Sequence, residues 1–564
     1  MSSNTFVRLR LWSLFDVAAI SRRTPSILLW IGALAFAGTT VRDAWDARLL
    51  VPFWDEWDLL TVHRHITESG DLFTDLWTPF NGHYEPIPRL LFLGRDMLLG
   101  GDPIALILVC LVLQTALIGI IVATLLRAPA LQGSLLQHVL VASSIVLLTW
   151  TVQMENFNWS VQITFVLPAF LTVASIATVS SFGPARRIDW PIVAAAVMAV
   201  AACLSLGAGL AIWPAVFVVA LRQRRGAQAV IIAVAGAAVS LVPHWFSVEP
   251  TVTPTAVLIR PIETFLFVCR YLPPLYIRDD IRVVFGALLI VLGVFAIAHG
   301  TLRREGGRLA DLATGLVTFG LSVAFLTAIV RVDIGVPASS RYMAFSSLYW
   351  VGLLMFGGSV FAAREWRVAR WAIYVVLLCG LEPVMTIQAV AGEPFVTRAD
   401  QATAAALSMI VGTPDEHAIA SHLHPNPRVP IELVAFLREQ QYGFFGNRLT
   451  RAIGNPARNI FSATPAEKCE ASVDLEPRGN GLYVSGHYKA PGGPRWLVIA
   501  GPAGNVRGLA IREQRGDRIM GYVPTLSSGT LFGVEGDTLC LAGLVDGPAV
   551  TTLPDSLPAG SGSD

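Results

Sequence analysis

The residues best suited to chemistry lie in one short run, Phe53-Trp54-Asp55-Glu56-Trp57-Asp58, where three carboxylates fall within four positions between indoles. Carboxylates beside apolar chain are costly unless they accept protons, bind a cation or point into water. Asp55 or Glu56 could act as a general base toward a sugar hydroxyl, with Asp58 beside them. Asp55 and Glu56, joined by His83, could also hold a divalent cation such as Mg2+ or Mn2+ against a phosphate. Trp54 and Trp57 could stack on sugar rings. The plainer account of the run is an interfacial aromatic belt with solvated acids.

Four further clusters suit the same chemistry. Asn81-Gly82-His83-Tyr84-Glu85 precedes Pro86-Ile87-Pro88-Arg89. His83 and Glu85 there make a proton-transfer or ligand pair, and Arg89 a phosphate contact. Gln153-Met154-Glu155-Asn156-Phe157-Asn158-Trp159 offers an acid and amides for hydroxyl recognition, or simply a helix-capping turn. Arg331, Asp333 and Ser339-Ser340-Arg341-Tyr342 put a guanidinium beside hydroxyls and a phenol, a good setting for a lipid phosphate. Arg260, Arg270, Arg278 and Arg282, near Tyr271 and Tyr276, could do likewise or snorkel to headgroups.

These residues need a scaffold, and composition names its class. The chain has 564 residues, 54% hydrophobic and 14% charged, with mean hydropathy +0.59. A soluble protein carries about 25% charged residues, so this one is a membrane protein. A balance of 41 basic and 40 acidic residues argues against a nucleic-acid binder. Lys468 and Lys489 are the only lysines, which suggests a GC-rich bacterial genome.

Hydrophobic runs predict about eleven transmembrane helices: 26–42, 103–126, 135–150, 160–182, 190–206, 208–221, 227–246, 281–299, 309–330, 342–362 and 371–390. Gly207-Ala208-Gly209 reads as a tight turn between two short helices. Arginines alternate from connection to connection: the N-terminus, Arg127, Arg186-Arg187, Arg222/Arg224/Arg225, Arg303-Arg304/Arg308 and Arg364/Arg367/Arg370 all share a side. The positive-inside rule then puts the N-terminus in the cytoplasm and the C-terminus outside a bacterial inner membrane. Residues 26–42 read as an uncleaved anchor, although a signal peptide would leave the same downstream topology.

Three parts follow. Residues 1–390 form the membrane domain, whose first outer loop, 43–102, carries surface helices at 57–66 and 87–99. Residues 391–460 form a helical connector. Residues 461–564 form an extracytoplasmic all-β, sandwich-like domain with a disordered end. Cys469 and Cys540, both in the exported tail, would pair as a disulfide in an oxidising compartment. No Walker, dinucleotide-binding, HExxH, CxxC or nucleophile-elbow motif is present, which disfavours an ATP-driven pump and a serine hydrolase.

Taken together, Asp55-Glu56 with Asp58 just after the first span, the long first outer loop, about eleven spans and the soluble C-terminal domain resemble the GT-C superfamily of membrane glycosyltransferases. The likeness is to bacterial members with a WDEWD-type loop. It implies a sugar donor linked to polyprenyl phosphate, a glycan, lipid or protein acceptor in the cell envelope, and no nucleotide at the site. It makes Asp55 or Glu56 the base and Arg341 the contact to the donor phosphate. A lipid-linked-glycan transporter, a ligase or polymerase, and a non-catalytic assembly subunit are the competing readings. A transporter should show midplane charges or an internal repeat. Glu382 is one such charge, and no repeat is visible.

Overall fold

The computed structural model describes residues 17–80, 83–181, 190–246, 260–274, 278–303, 307–332, 339–363, 392–463, 470–478, 480–489, 494–524, 526, 528–535 and 538–546. Seven helices among these are long and apolar enough to cross a membrane: Thr24–Asp46, Pro103–Leu126, Leu135–Gln153, Ser160–Ser180, Asp279–Arg303, Gly307–Arg331 and Ser340–Val360. In hydrocarbon every backbone N–H and C=O must be satisfied within the segment, and a helix does this over an unbroken apolar run. Two of the other expected spans are shorter apolar helices, Trp190–Cys203 and Gly207–Arg222, and the expected span at 227–246 coincides with helix Gly226–Phe246. The expected span at 371–390 lies outside the described residues. Between helices Trp190–Cys203 and Ile212–Arg222, Gly207–Ala211 forms a 3-10 turn where the glycines predict a tight turn.

The chain forms two compact units that do not follow chain order. The membrane unit comprises Met1–Trp45, Leu76–Leu91 and Leu106–Gly392; the second comprises Asp46–Asp75, Phe92–Ala105 and Glu393–Asp564. Part of the first loop therefore groups with the C-terminal region.

In the membrane unit the loops expected on one side draw together. The Ile87 N–H donates to the Leu204 carbonyl at 3.2 Å, and the Ser340 hydroxyl accepts from the Glu155 N–H at 3.3 Å. The rings of Tyr271 and Tyr342 lie 5.5 Å apart. Connections expected on the opposite side meet elsewhere, where Arg222 Nε donates to Asp311 at 2.8 Å and Gln223 to the same carboxylate at 3.0 Å.

In the second unit, eight strands form one sheet in the order β1-β8-β7-β4-β5-β6-β3-β2. They are β1 Ser462–Ala463, β2 Ala471–Arg478, β3 Gly481–Tyr488, β4 Trp496–Ala500, β5 Val506–Arg512, β6 Arg518–Val523, β7 Ser528–Glu535 and β8 Thr538–Asp546. This corrects the sandwich-like expectation. The strands are where the alternation puts them, but they roll into a single half-barrel, and β2 approaches β8 across its inside. The interior holds Val484, Leu497, Ile499, Ala510, Val523 and Leu531. A rolled sheet and a sandwich both bury alternate residues, so period-two patterning fits either. Curling is helped by register shifts at Ile499/Ala500 and Leu531/Phe532. It also needs Gly521, where a Cβ would sit 2.3 Å from the Leu509 carbonyl oxygen. Helix Glu393–Ile410 packs on β5 and β6, and Asp400 ties it there by accepting from Arg495 at 2.8 Å and the Gln514 N–H at 2.9 Å.

Candidate functional site

The acidic run opens helix Asp55–Ser69, with Asp55, Glu56 and Asp58 in its first turn. Negative charge is favourable there, because the first N–H groups of a helix carry partial positive charge. Trp54, the preceding residue, has φ 46° and ψ −121°. A non-glycine residue in that region costs about 1–3 kcal/mol and needs its surroundings to hold it. The hold is a 2.7 Å hydrogen bond from the Trp54 N–H to the Leu423 carbonyl. The indole is left 45% exposed beside the carboxylates.

The three acids meet different surroundings. Asp55 is half-buried. Asp58 keeps its side chain 43% exposed and faces Nε2 of His424 at 3.5 Å. Burial raises the Asp58 carboxyl above the usual range, His424 pulls it back, and Asp55 pushes it up again. Nδ1 of His424 lies 2.9 Å from the Asn426 carbonyl, which fixes the ring. Asp58 and His424 therefore face each other next to an exposed indole.

Glu56 instead turns inward and is 2% exposed. Arg95 Nη1 donates to its carboxylate at 2.5 Å, and Arg95 Nε donates to Asp96 at 2.8 Å. Tyr442 donates its hydroxyl to Asp96 at 2.8 Å and also accepts from Arg95. His63 lies 3.5 Å from Asp96, and burial lowers its affinity for a proton. This network joins the acidic helix to helix Pro86–Leu99 and to Tyr442. Trp57 is fully buried, edge-on to Phe445 at 5.9 Å.

The remaining candidates belong to the membrane unit. The His83 ring lies against Gly207, where a Cβ would come within 2.8 Å of Nδ1, so a side chain at 207 would clash with it. Burial first, and Arg331 second, push His83 down to about 4. Glu85 and Arg89 are buried, with the Arg89 guanidinium 6.0 Å from the Phe80 ring. Asn156 donates to the Arg341 carbonyl at 3.2 Å, which joins the amide-rich turn to the Ser340–Tyr342 turn. Tyr342 is buried between Phe165 and Tyr271. The same unit contains an apolar crevice of about 880 Å³, lined by Trp213, Phe265, Val268, Ile290, Leu321 and Phe325 among others.

Among the described residues no group of three or more His, Cys, Asp or Glu side chains could hold a metal ion. Glu56 is engaged by Arg95. Cys469 of the expected Cys469–Cys540 pair and Asp333 lie outside the described residues. His424, Arg95, Asp96 and Tyr442 are absent from the sequence-based candidates, since only folding brings them to the motif. The one local signal was the proline-bounded His424-Pro425-Asn426-Pro427 turn.

No family model, curated protein or solved structure matches the chain.

Proposed function

We propose that the protein is a membrane glycosyltransferase that moves a sugar from a polyprenyl-phosphate donor to a cell-envelope acceptor on the outer side of the membrane. One observation carries this reading. The first turn of helix Asp55–Ser69 presents Asp55 and the Asp58–His424 pair beside the exposed Trp54, on backbone strained to hold it there. Strain of this kind persists where the surroundings enforce it, and it clusters at working sites.

In the proposed step Asp55 or Asp58 takes the proton of an acceptor hydroxyl as its oxygen attacks the anomeric carbon. The bond from that carbon to the phosphate oxygen breaks, and polyprenyl phosphate leaves with the electron pair. His424 is placed to share the proton on Asp58. Glu56 then acts as a positioning residue, because its carboxylate is engaged by Arg95. The crevice in the membrane unit is of a size and polarity suited to an isoprenoid chain. Arg341 carries the charge expected to meet the donor phosphate.

The test is glycan transfer in membranes bearing wild-type protein or Asp55→Asn. General-base catalysis contributes about 10²–10⁴-fold, so the variant should lose that much turnover at unchanged abundance. Full transfer by Asp55→Asn and by Asp58→Asn, each normally expressed, would make the acidic turn structural.

A further inference from the structure

The lining of the apolar crevice fixes its depth in the membrane. Leu321 and Phe325 come from the second half of helix Gly307–Arg331, and Leu210 and Trp213 from the start of the segment 207–222. The opposite ends of these two elements meet at the Arg222–Asp311 ion pair. Ten residues separate Asp311 from Leu321. At 1.5 Å per residue that is a rise of about 15 Å, half of a hydrocarbon core about 30 Å thick. The crevice therefore occupies the half of the bilayer away from the ion pair. On the orientation that the arginines predict, this half is the outer leaflet.

Helix Pro261–Tyr271 forms a further wall, with Pro261, Thr264, Phe265 and Val268 in the lining. Spacings of three and four put these residues on one helix face. Phe265 is 50% exposed and Phe325 48%, so the crevice is open along its flank and a chain can enter sideways. Arg260 stands at the head of this wall and is exposed. The N–H and the hydroxyl of Thr264, itself in the lining, both donate to the Arg260 carbonyl, at 3.1 and 2.9 Å. Glu263 is the acid nearest to Arg260 in sequence, and it lies about 200° round the helix from Pro261, on the face away from the crevice. Arg341 is not among the described residues of the lining.

From this geometry we infer that Arg260 receives the phosphate of a lipid whose chain enters the crevice from the outer leaflet, a contact additional to Arg341. The inference rests on the glycosyltransferase reading, which makes that lipid a polyprenyl phosphate, and deepens it by naming a head-group residue. The crevice and the arginine together select an amphiphile. Apolar walls hold an isoprenoid chain by removing it from competing surroundings, and they offer a free phosphate ion nothing. A guanidinium at the rim meets phosphate oxygens with charge-assisted N–H donors. An arginine that merely snorkelled to bulk headgroups would favour no lipid over another.

The experiment measures melting temperature for the full-length protein in phosphatidylcholine nanodiscs, with polyprenyl phosphate, with polyprenol of the same length, or with inorganic phosphate. Polyprenyl phosphate should raise the wild-type melting temperature in a saturable way, over a background already rich in ordinary phospholipid. Polyprenol should bind about 10- to 100-fold more weakly, the worth of a hydrogen bond to a charged group. Inorganic phosphate should give no shift. Arg260→Gln, at an exposed position, should melt like wild type without lipid, bind polyprenol as wild type does and lose the preference for the phosphate. Ser322→Trp, which fills the crevice, should weaken both lipids. The proposal is overturned if polyprenyl phosphate gives no shift, if inorganic phosphate alone reproduces it, if Arg260→Gln keeps the preference, or if Ser322→Trp binds both lipids normally. Binding is read without sugar or turnover, so these outcomes are separate from the fate of Asp55→Asn in the transfer assay.

Discussion

Glu56 and Asp58 are two residues apart, on the same turn of the same helix, and their surroundings give them different work. Glu56 lies among Arg95, Asp96 and Tyr442, where two carboxylates share one guanidinium. Removing one partner of a buried ion pair costs about 3–5 kcal/mol, because the other charge is left without compensation. Arg95→Met should therefore lower stability by about that amount, read by denaturant or thermal unfolding. A loss within error would show that the network is not what holds the helix. His83 yields a prediction with a sign. It is pushed down to about 4 from an ordinary value of 6.5, so between those values the unfolded chain binds more protons than the folded one. The contribution is complete above 6.5 and is lost as pH falls toward 4. His83→Asn should thus flatten the drop in melting temperature over that window, and an unchanged slope would contradict the assignment. In the sequence, Asp55, Asp58 and Trp54 were legible as residues whose types could do chemistry. The turning-in of Glu56 was not, because its partners Arg95 and Tyr442 lie 39 and 386 positions away, a separation read only once the chain has folded.

At the scale of elements, local signals placed most helices and strands. The expected helix at 87–99 is Pro86–Leu99, and the all-β region expected over 461–564 carries strands β1 to β8. Strand order was hidden, since alternation says which face is buried and not which strand pairs with which. The burial of 151–162 was hidden for a related reason: its amides and acid read equally well as a solvated capping turn. The crevice is assembled from helices distant in sequence, and no single one of them announces it. It predicts that Ser322→Trp, which fills the crevice from Gly307–Arg331, weakens use of the lipid donor. The expected signature is a raised KM for donor with kcat nearly kept, because binding common to ground and transition states is what the filled space removes. A lowered kcat at unchanged KM would show that the crevice serves something other than the donor.

At the scale of the whole chain, composition alone identified a membrane protein, and seven helices long and apolar enough to cross a bilayer bear that out. The alternating arginines predict sidedness. Alkaline phosphatase fused after Asp564 should be active and a fusion after Arg225 inactive; the reverse pattern would invert the proposed side of the reaction. The most direct test of the central claim follows one donor through one turnover. Purified protein in proteoliposomes is given a polyprenyl-phosphate sugar and an acceptor, and free polyprenyl phosphate is counted against glycosylated product. The account predicts equal amounts of each. It also predicts that Asp55→Asn/Asp58→Asn lowers both by about 10²–10⁴-fold while melting like wild type. Donor recovered intact, or a double variant that turns over at the wild-type rate, would contradict it.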